Sequence, residues 1–339
     1  MVSLRAPGRI NLIGEHTDHG GGLSLPAAID RGVRLEISGG ADRIELRSQG
    51  REPASVAADG SGSGEGWARF PAAVAAELHA LGRRSVGIEG EISSDLPAEA
   101  GLASSAALTV AVAMALCEAA DFSLEPMTLA ELCRRAEERA VGVPCGVMDH
   151  AASIFGRSDH AVFLNAATGA VELVPLPSGL RFVVLHSGVV RRLEDSAYRL
   201  RREELQRGLA GSKDPVSVRR LRHFDSEDRR VREVVGALRG EPPDVAAVGV
   251  ALLAGHISLR DDFEVSTTEL DLLVEMAMAR GAIGARLTGA GFGGAVVALA
   301  FSDDADAIGS ATIAAYRERF PALDSRYLVC RAADGAARV

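Results

Sequence analysis

An α+β fold in two domains is the structure that this sequence predicts, and three observations support it. The chain has 339 residues, more than a single domain usually holds. Apolar residues make up 47% of it and aromatic residues 4%, which favours an aliphatic, alanine-rich core. The first half mixes strands with helices, and the second half begins and ends with strands around helices. We therefore expect domains over residues 1–178 and 179–339.

The elements of the first half follow from hydrophobic periodicity. Apolar and polar residues alternate over 32–38 and 43–48, which predicts a pair of strands. Segment 85–97 predicts a further strand. A turn of small residues follows this strand, and an alanine-rich helix is expected from about Ser104.

Two helix starts are predicted from capping boxes, in which a Ser or Thr is followed three residues later by Glu. Thr128 with Glu131 predicts one helix, and Ser266 with Glu269 predicts another. In each pair the hydroxyl and the carboxylate would satisfy backbone N–H groups that the helix itself leaves unbonded.

The second half of the sequence contains longer elements. Residues 161–177 predict a hairpin, and 180–187 predict a buried strand. Charged helices are expected over 192–209 and 216–238. Residues 285–301 predict a glycine-rich loop followed by a strand, after which one helix and a last strand complete the chain.

Charge and hydropathy exclude several classes of protein. The net charge is −9 without a long block of like charge, which argues against a non-specific nucleic-acid binder. The longest apolar stretch, 106–120, is too short and too rich in alanine to span a membrane. The four cysteines show no C-x-x-C spacing and are expected to be buried free thiols. We expect a cytoplasmic protein that is a monomer or a weak homodimer.

A dense polar segment near the N-terminus suggests a ligand site. Arg9, Glu15, His16 and Asp18 lie within ten positions of one another, and glycines at 14 and 20–22 supply a turn. Their spacing matches no zinc site, and Mg²⁺ relies mostly on carboxylates and substrate phosphates. A sugar fits better, because its hydroxyls need both acceptors and donors on a rigid turn. A purely structural turn is the alternative.

The segment from 95 to 110 predicts a phosphate site. A strand leads through a turn of small residues, Gly101 and Ala103 among them, into a helix beginning near Ser104 and Ser105. The free N–H groups and partial positive charge of a helix N-terminus attract phosphate. The alternative is an ordinary serine cap, and the lack of a following lysine excludes a P-loop.

Three other features could carry chemistry. Asp149 lies in a small-residue, apolar setting, where a carboxylate serves either structure or acid–base chemistry. Glu137 lies on the preceding helix and could equally belong to a solvated face. Residues 288–295 contain G-x-G-x-x-G, but a strand rather than a helix follows, which argues against a dinucleotide-binding fold and a dehydrogenase.

Taken together, these segments resemble the GHMP small-molecule kinases. Residues 7–29, 97–108 and 287–295 match the three family motifs in order, and the first resembles the galactokinase branch specifically. Further resemblance to that branch covers 143–153 and 186–204, together with a segment at 255–275. The matches extend over nearly the whole chain.

The resemblance implies a fold, an activity and a set of site residues. The fold would combine an N-terminal ribosomal-S5-like domain with a C-terminal ferredoxin-like domain, with the active site between them. The activity would be ATP-dependent phosphorylation of a sugar at its C1 hydroxyl, most simply galactose, with Mg²⁺ as the metal. Arg9 and Asp149 would flank the reacting hydroxyl. The sugar would contact Glu15, His16, Asp18, Gly146, Asp149 and Tyr198. ATP would contact Gly101, Leu102, Ala103, Ser104, Ser105, Ala106 and Gly291, and Mg²⁺ would contact Ser105 and Glu137.

The chain departs from the usual galactokinase pattern at His19, Gly20, Glu99, Ala103, His150 and Ala295. His19, Gly20 and His150 are expected beside the sugar, which leaves the choice of sugar open. Galacturonate, arabinose and an N-acetylhexosamine are the alternatives, as is a galactokinase-like sensor that regulates a partner protein. Glu99 is expected to point away from the phosphates.

Overall fold

The computed structural model describes residues 1–62, 64–97, 101–189 and 194–339. The strands are β1 Val2–Asn11, β2 Leu23–Ser24, β3 Pro26–Ala41, β4 Arg43–Ser48, β5 Ala54–Ala57, β6 Gly87–Ser94, β7 His160–Asn165, β8 Ala170–Pro175, β9 Leu180–His186, β10 Gly284–Thr288, β11 Ala295–Phe301, β12 Arg326–Cys330 and β13 Ala337–Arg338. The helices are α1 Arg69–Ala80, α2 Ser104–Ala120, α3 Pro126–Val141, α4 Met148–Phe155, α5 Glu194–Leu209, α6 Pro215–Arg239, α7 Val245–Asp261, α8 Thr268–Ala279 and α9 Ser302–Arg319.

In the described part of the chain these strands form three sheets. The first has the order β13-β1-β3-β6-β4-β5, the second β10-β11-β9-β12, and the third β2-β7-β8. Neighbouring strands are antiparallel except for β4 and β6, which are parallel. The first and third sheets are built from the first half of the chain, save for β13. The domain boundary near residue 178 stays a prediction, and β13 crosses it by pairing with β1.

The predicted pairing of 32–38 with 43–48 is wrong, although both segments are strands. β6 lies between β3 and β4 and pairs with both of them. Alternation of side chains identifies a strand but carries no information about its neighbour, because pairing depends on residues distant in sequence. The predicted strand at 85–97, the hairpin at 161–177 and the strand at 180–187 are confirmed.

Both predicted capping boxes are wrong. Helix α3 begins at Pro126, whose fixed φ suits a first helical position, and Thr128 lies inside the helix. At α8 the cap is Thr267, whose hydroxyl accepts a hydrogen bond from the Leu270 N–H. The helix expected near Ser104 is confirmed, and the two charged helices correspond to α5 and α6. Strand β10, which precedes the glycine-rich loop, and helix α7 were not predicted.

The core is aliphatic, as the composition predicts, and it places α2 at the centre of the first half. Helix α2 is apolar on all sides and packs against β1, β3 and α3, with Val110, Ala111 and Leu116 fully buried. A second cluster joins Ile10 and Leu25 to Phe182 across the predicted boundary. The two halves therefore share a core, and the polar segment that follows β1 lies at their junction. No helix in the described ranges is long and apolar enough to cross a membrane.

Candidate functional site

Most of the predicted site residues line one cavity of about 490 Å³. The cavity includes the predicted catalytic pair, the other five predicted sugar contacts, residues 101–105 and Glu137. His19, Cys145, Met148, His150, Val189, Gly289 and Ala290 also line it. Ala106 is buried in the first turn of α2 behind the cavity wall. The structure thus brings together residues as distant in sequence as Arg9 and Ala290.

Arg9 and Asp149 form a two-pronged ion pair inside this cavity. Arg9 lies on β1, and Asp149 lies in the first turn of α4. The Nε and NH2 groups of Arg9 donate to the two carboxylate oxygens of Asp149, each at 2.7 Å. The Arg9 side chain is 6% exposed, whereas the Asp149 side chain is 31% exposed. The arginine is therefore fixed, and a ligand can reach the carboxylate it holds.

Arg9 also connects the ion pair to the loop before α2. Its NH1 group donates to the Gly101 carbonyl at 2.7 Å, and its backbone N–H donates to the Leu102 carbonyl at 3.1 Å. Gly8 has no side chain because a Cβ there would lie 2.6 Å from that same Leu102 carbonyl. Strand β1 therefore holds the 101–103 segment close to Asp149.

The N-terminus of α2 opens on the cavity without a side-chain cap from the described residues. Ala103 is the N-cap and has φ +56°, a left-handed conformation that is uncommon for a residue other than glycine. Its carbonyl accepts the Ala107 N–H, which leaves the N–H groups of Ser104, Ser105 and Ala106 as the donors of the first turn. This arrangement suits an anion.

Ser105, Glu137 and His150 are in polar contact with one another along the same end of the cavity. The Ser105 hydroxyl donates to Glu137 Oε1 at 2.6 Å, and His150 Nε2 lies 2.8 Å from Glu137 Oε2. Burial raises the pKa of Glu137, but the bonds from His150 and Ser105 outweigh it and leave the pKa below its usual value. Glu137 is therefore part of the cavity wall and not of a solvated helix face. His150, which we expected beside the sugar, faces Glu137.

Asp18 and Gly146 fit each other at the other end of the cavity. A Cβ on Gly146 would lie 1.6 Å from Asp18 Oδ2, so no residue other than glycine fits there without moving the carboxylate. His16 has φ +62°, and its ring stacks on Phe263 at 4.5 Å between centroids. Tyr198 on α5 lies beside both histidines of the segment, and its hydroxyl is 2.6 Å from His19 Nε2.

Glu15 lies on the cavity wall, but its carboxylate is held from behind by residues that were not predicted. Arg286 on β10 is fully buried, with NH2 2.6 Å from Glu15 Oε2 and NH1 2.7 Å from Glu227 Oε1. Glu227 also accepts from Arg230 Nε and from the Gly14 N–H. The only sequence signal for this cluster was a charged residue within an apolar strand, "GARLTG".

The glycine-rich loop lies between two strands, β10 and β11, which excludes the dinucleotide-binding arrangement. Its residues Gly289 and Ala290 line the cavity. Gly291, which the family resemblance implied as an ATP contact, has φ +83° and packs so closely on Val265 that a Cβ would lie 2.3 Å from the Val265 carbonyl oxygen. Glu99 lies outside the described residues, so its predicted orientation stays a prediction.

Acidification from pH 7 to 5 is expected to destabilise the native chain, because three buried histidines, His16, His223 and His256, stay neutral in it. Burial lowers the pKa of His223 and of His256 to about 4 and holds that of His16 well below its usual value. As the pH falls through 6.5, the unfolded chain binds protons at these histidines that the native chain does not bind. Burial raises the pKa of Glu15 to about 7, so in this pH range the native chain binds a proton at Glu15 that the unfolded chain does not bind. This proton offsets the effect of one histidine on stability.

The net difference of roughly two protons corresponds to about 2–3 kcal/mol of unfolding free energy per pH unit near pH 5.5. Guanidinium chloride unfolding at pH 7, 6 and 5 measures this slope. The variant His223→Gln should take up about one proton fewer on unfolding, and the slope should fall in proportion. An unfolding free energy that stays constant or rises on acidification would contradict the assignment of neutral buried histidines.

Comparisons with known proteins agree with this geometry. The chain matches the models for the GHMP kinases N terminal domain over residues 69–157, the galactokinase galactose-binding signature over 2–38 and the GHMP kinases C terminal domain over 236–318. It is 34% identical to a galactokinase of Pyrococcus furiosus, with 98% of each chain covered. It is 37% identical to a galactokinase of Streptomyces coelicolor, with 89% of this chain and 85% of the relative covered.

Solved structures give the same result for the fold. Lactococcus lactis galactokinase complexed with galactose superposes with a TM-score of 0.91 at 28% identity, covering 100% of this chain and 95% of that one. A mevalonate kinase superposes with a TM-score of 0.71 at 19% identity, which shows the shared fold alone. The predicted α+β GHMP kinase fold is confirmed, and the chain belongs to the galactokinase family of the GHMP kinases.

Proposed function

We propose that this chain transfers the γ-phosphate of ATP to the C1 hydroxyl of D-galactose and releases α-D-galactose 1-phosphate and ADP. The observation that carries the proposal is the Arg9–Asp149 ion pair, which lies in one cavity with both an uncapped helix N-terminus and the polar segment 15–19. A phosphate donor and a polyhydroxyl acceptor can thus reach one carboxylate. The full-length galactokinase relatives support the choice of sugar.

At the reacting centre, phosphoryl transfer depends more on positioning and charge than on covalent chemistry. Asp149 accepts a hydrogen bond from the C1 hydroxyl and orients its oxygen toward the γ-phosphorus. A new O–P bond forms, the bond to the bridging oxygen of ADP breaks, and the hydroxyl proton leaves toward the carboxylate. Arg9 fixes Asp149 by two hydrogen bonds and places positive charge beside the transferring group.

The phosphates of ATP occupy the N-terminus of α2 in this proposal. The N–H groups of Ser104, Ser105 and Ala106 donate to phosphate oxygens, and the helix dipole favours their negative charge. Gly101, Leu102 and Ala103 present little side-chain bulk between the backbone and the nucleotide. The same first turn supplies the Ser105 hydroxyl beside Glu137.

Mg²⁺ fits the pair formed by Ser105 and Glu137. Their oxygens lie 2.6 Å apart on the cavity wall and are of the hard type that this ion prefers. Among the described residues, no group of three His, Cys, Asp or Glu side chains could hold a metal ion on its own. The remaining ligands would come from phosphate and water, as is usual for Mg²⁺. When bound, the ion would neutralise phosphate charge.

The sugar occupies the end of the cavity formed by His16, Asp18, Gly146 and Tyr198. The carboxylate of Asp18 accepts from a sugar hydroxyl, and the absence of a side chain at Gly146 leaves room for this carboxylate. The neutral ring of His16 can donate and accept. Glu15 offers its remaining acceptor capacity from a carboxylate that Arg286 holds in place.

A screen of ADP release tests the proposal and its alternatives together. The chain is incubated with ATP, Mg²⁺ and, separately, galactose, galacturonate, arabinose and N-acetylhexosamines, with Asp149→Asn as the baseline. We expect the largest kcat/KM with galactose. A larger value with another sugar would reassign the substrate, and sugar binding without turnover of any sugar would support a sensor.

A further inference from the structure

His19 connects two elements of the sugar end of the cavity that are distant in sequence. It lies in the short turn at residues 18–20, whereas Tyr198 lies on α5. The Tyr198 hydroxyl is 2.6 Å from His19 Nε2, and the two rings meet edge to face at 5.4 Å. The side chain of His19 is 5% exposed, and its backbone carbonyl accepts from Gln206, also on α5. These contacts join α5 to the turn.

The two ring nitrogens of His19 face different partners. Nδ1 lies 3.3 Å from Asp18 Oδ1, which is a carboxylate oxygen and can only accept when ionised. A proton on Nδ1 faces this oxygen, and in that tautomer Nε2 is the acceptor. The Tyr198 hydroxyl therefore donates its one hydrogen to Nε2. Burial raises the pKa of Tyr198 well above its usual value, which keeps that hydrogen in place.

We propose that His19 is a positioning residue for the sugar: it fixes the Tyr198 hydroxyl beside Asp18 and takes its only hydrogen. Tyr198 then meets the sugar as a hydrogen-bond acceptor, beside the acceptor Asp18. This end of the cavity thus selects a ligand that presents hydroxyl donors at neighbouring positions. The inference rests on the proposed function and adds to it the residue that arranges these two contacts.

A double-mutant cycle between His19 and Tyr198 tests the inference, with KM measured for galactose and for ATP. His19→Leu should raise the KM for galactose about tenfold, as expected for the loss of one oriented hydrogen bond. The KM for ATP should stay within about twofold, since the phosphate contacts lie at the other end of the cavity. Tyr198→Phe should have a similar effect, and the double variant should be no worse than either single variant.

His19→Gln separates positioning from packing, because an amide oxygen can accept from Tyr198 near the place of Nε2. We expect the KM of the His19→Gln variant for galactose to lie much closer to the parent value than that of His19→Leu. The matched control is His79→Leu, an exposed histidine on α1 that should leave both KM values unchanged. Thermal unfolding of each variant shows that it is folded.

The outcomes separate this inference from the proposed function. The inference would be overturned if the effects of His19→Leu and Tyr198→Phe on the KM for galactose simply added. It would also be overturned if His19→Leu raised the KM for galactose and the KM for ATP equally. Both results would leave the proposed function intact. A parent chain that phosphorylates no galactose would overturn the proposed function and the inference with it.

Discussion

Asp149→Asn should lower kcat by about a hundredfold to ten-thousandfold, the range expected when a positioned acid–base group is removed. Asparagine keeps the size of the side chain but cannot accept both hydrogen bonds from Arg9, which now meet two carboxylate oxygens at 2.7 Å. ATP binding should persist, because the proposed phosphate donors belong to the first turn of α2. Single-turnover kinetics with galactose, together with ATP titration by calorimetry, measures the two properties separately.

Asp121→Asn is the matched control for this variant. Asp121 ends α2 at the opposite pole from the cavity, is exposed and has φ +50°, a conformation that asparagine tolerates well. Its kcat should equal that of the parent. If Asp149→Asn also kept near-normal kcat, Asp149 would have no role in the transfer step, and the reacting hydroxyl would have to be placed elsewhere.

Arg286→Met should destabilise the fold by about 3–5 kcal/mol, the usual result of removing one partner of a buried ion pair. Arg286 is fully buried, and its loss leaves the carboxylates of Glu15 and Glu227 without their shared cation. Burial already raises the pKa of Glu15 to about 7 against the opposing effect of Arg286. Chemical denaturation at pH 7.5 measures the change in unfolding free energy.

Arg331→Met provides the comparison for an exposed arginine. Arg331 lies 3.7 Å from Asp30 at the surface and is 62% exposed, so its removal should change stability by about 0–1 kcal/mol. If Arg286→Met lowered the unfolding free energy no more than Arg331→Met, the buried ion pairs of Arg286 with Glu15 and Glu227 would not stabilise the fold as their geometry indicates.

Much of the candidate site could be predicted from the sequence, because its motifs are local. The segment at 8–22 and the helix start at Ser104 each carry their chemistry within a few consecutive residues. Asp149 was predictable only through family resemblance, since a carboxylate in a small-residue setting also fits a structural role. Its pairing with Arg9 joins residues 140 positions apart.

The contacts that sequence reasoning missed are those between distant segments. Arg286 joins Glu15 to Glu227, and no periodicity in any of the three segments indicates the others. The predicted pairing of β4 with β3 was wrong for the same reason, because β4 pairs with β6 in the structure. The sequence shows that His150 departs from the family pattern, but it does not show the contact of His150 with Glu137. That contact depends on how α4 packs on α3.

Phosphorus NMR of the complete reaction identifies the hydroxyl that receives the phosphate. The chain is incubated with ATP, Mg²⁺ and galactose, and the product phosphate is assigned by its coupling to the sugar protons. We expect a single sugar phosphate whose phosphorus is coupled to the anomeric proton in the α configuration, and which forms in equal amount with ADP. Phosphate on another hydroxyl, or inorganic phosphate in place of a sugar phosphate, would contradict the transfer to the C1 hydroxyl of galactose.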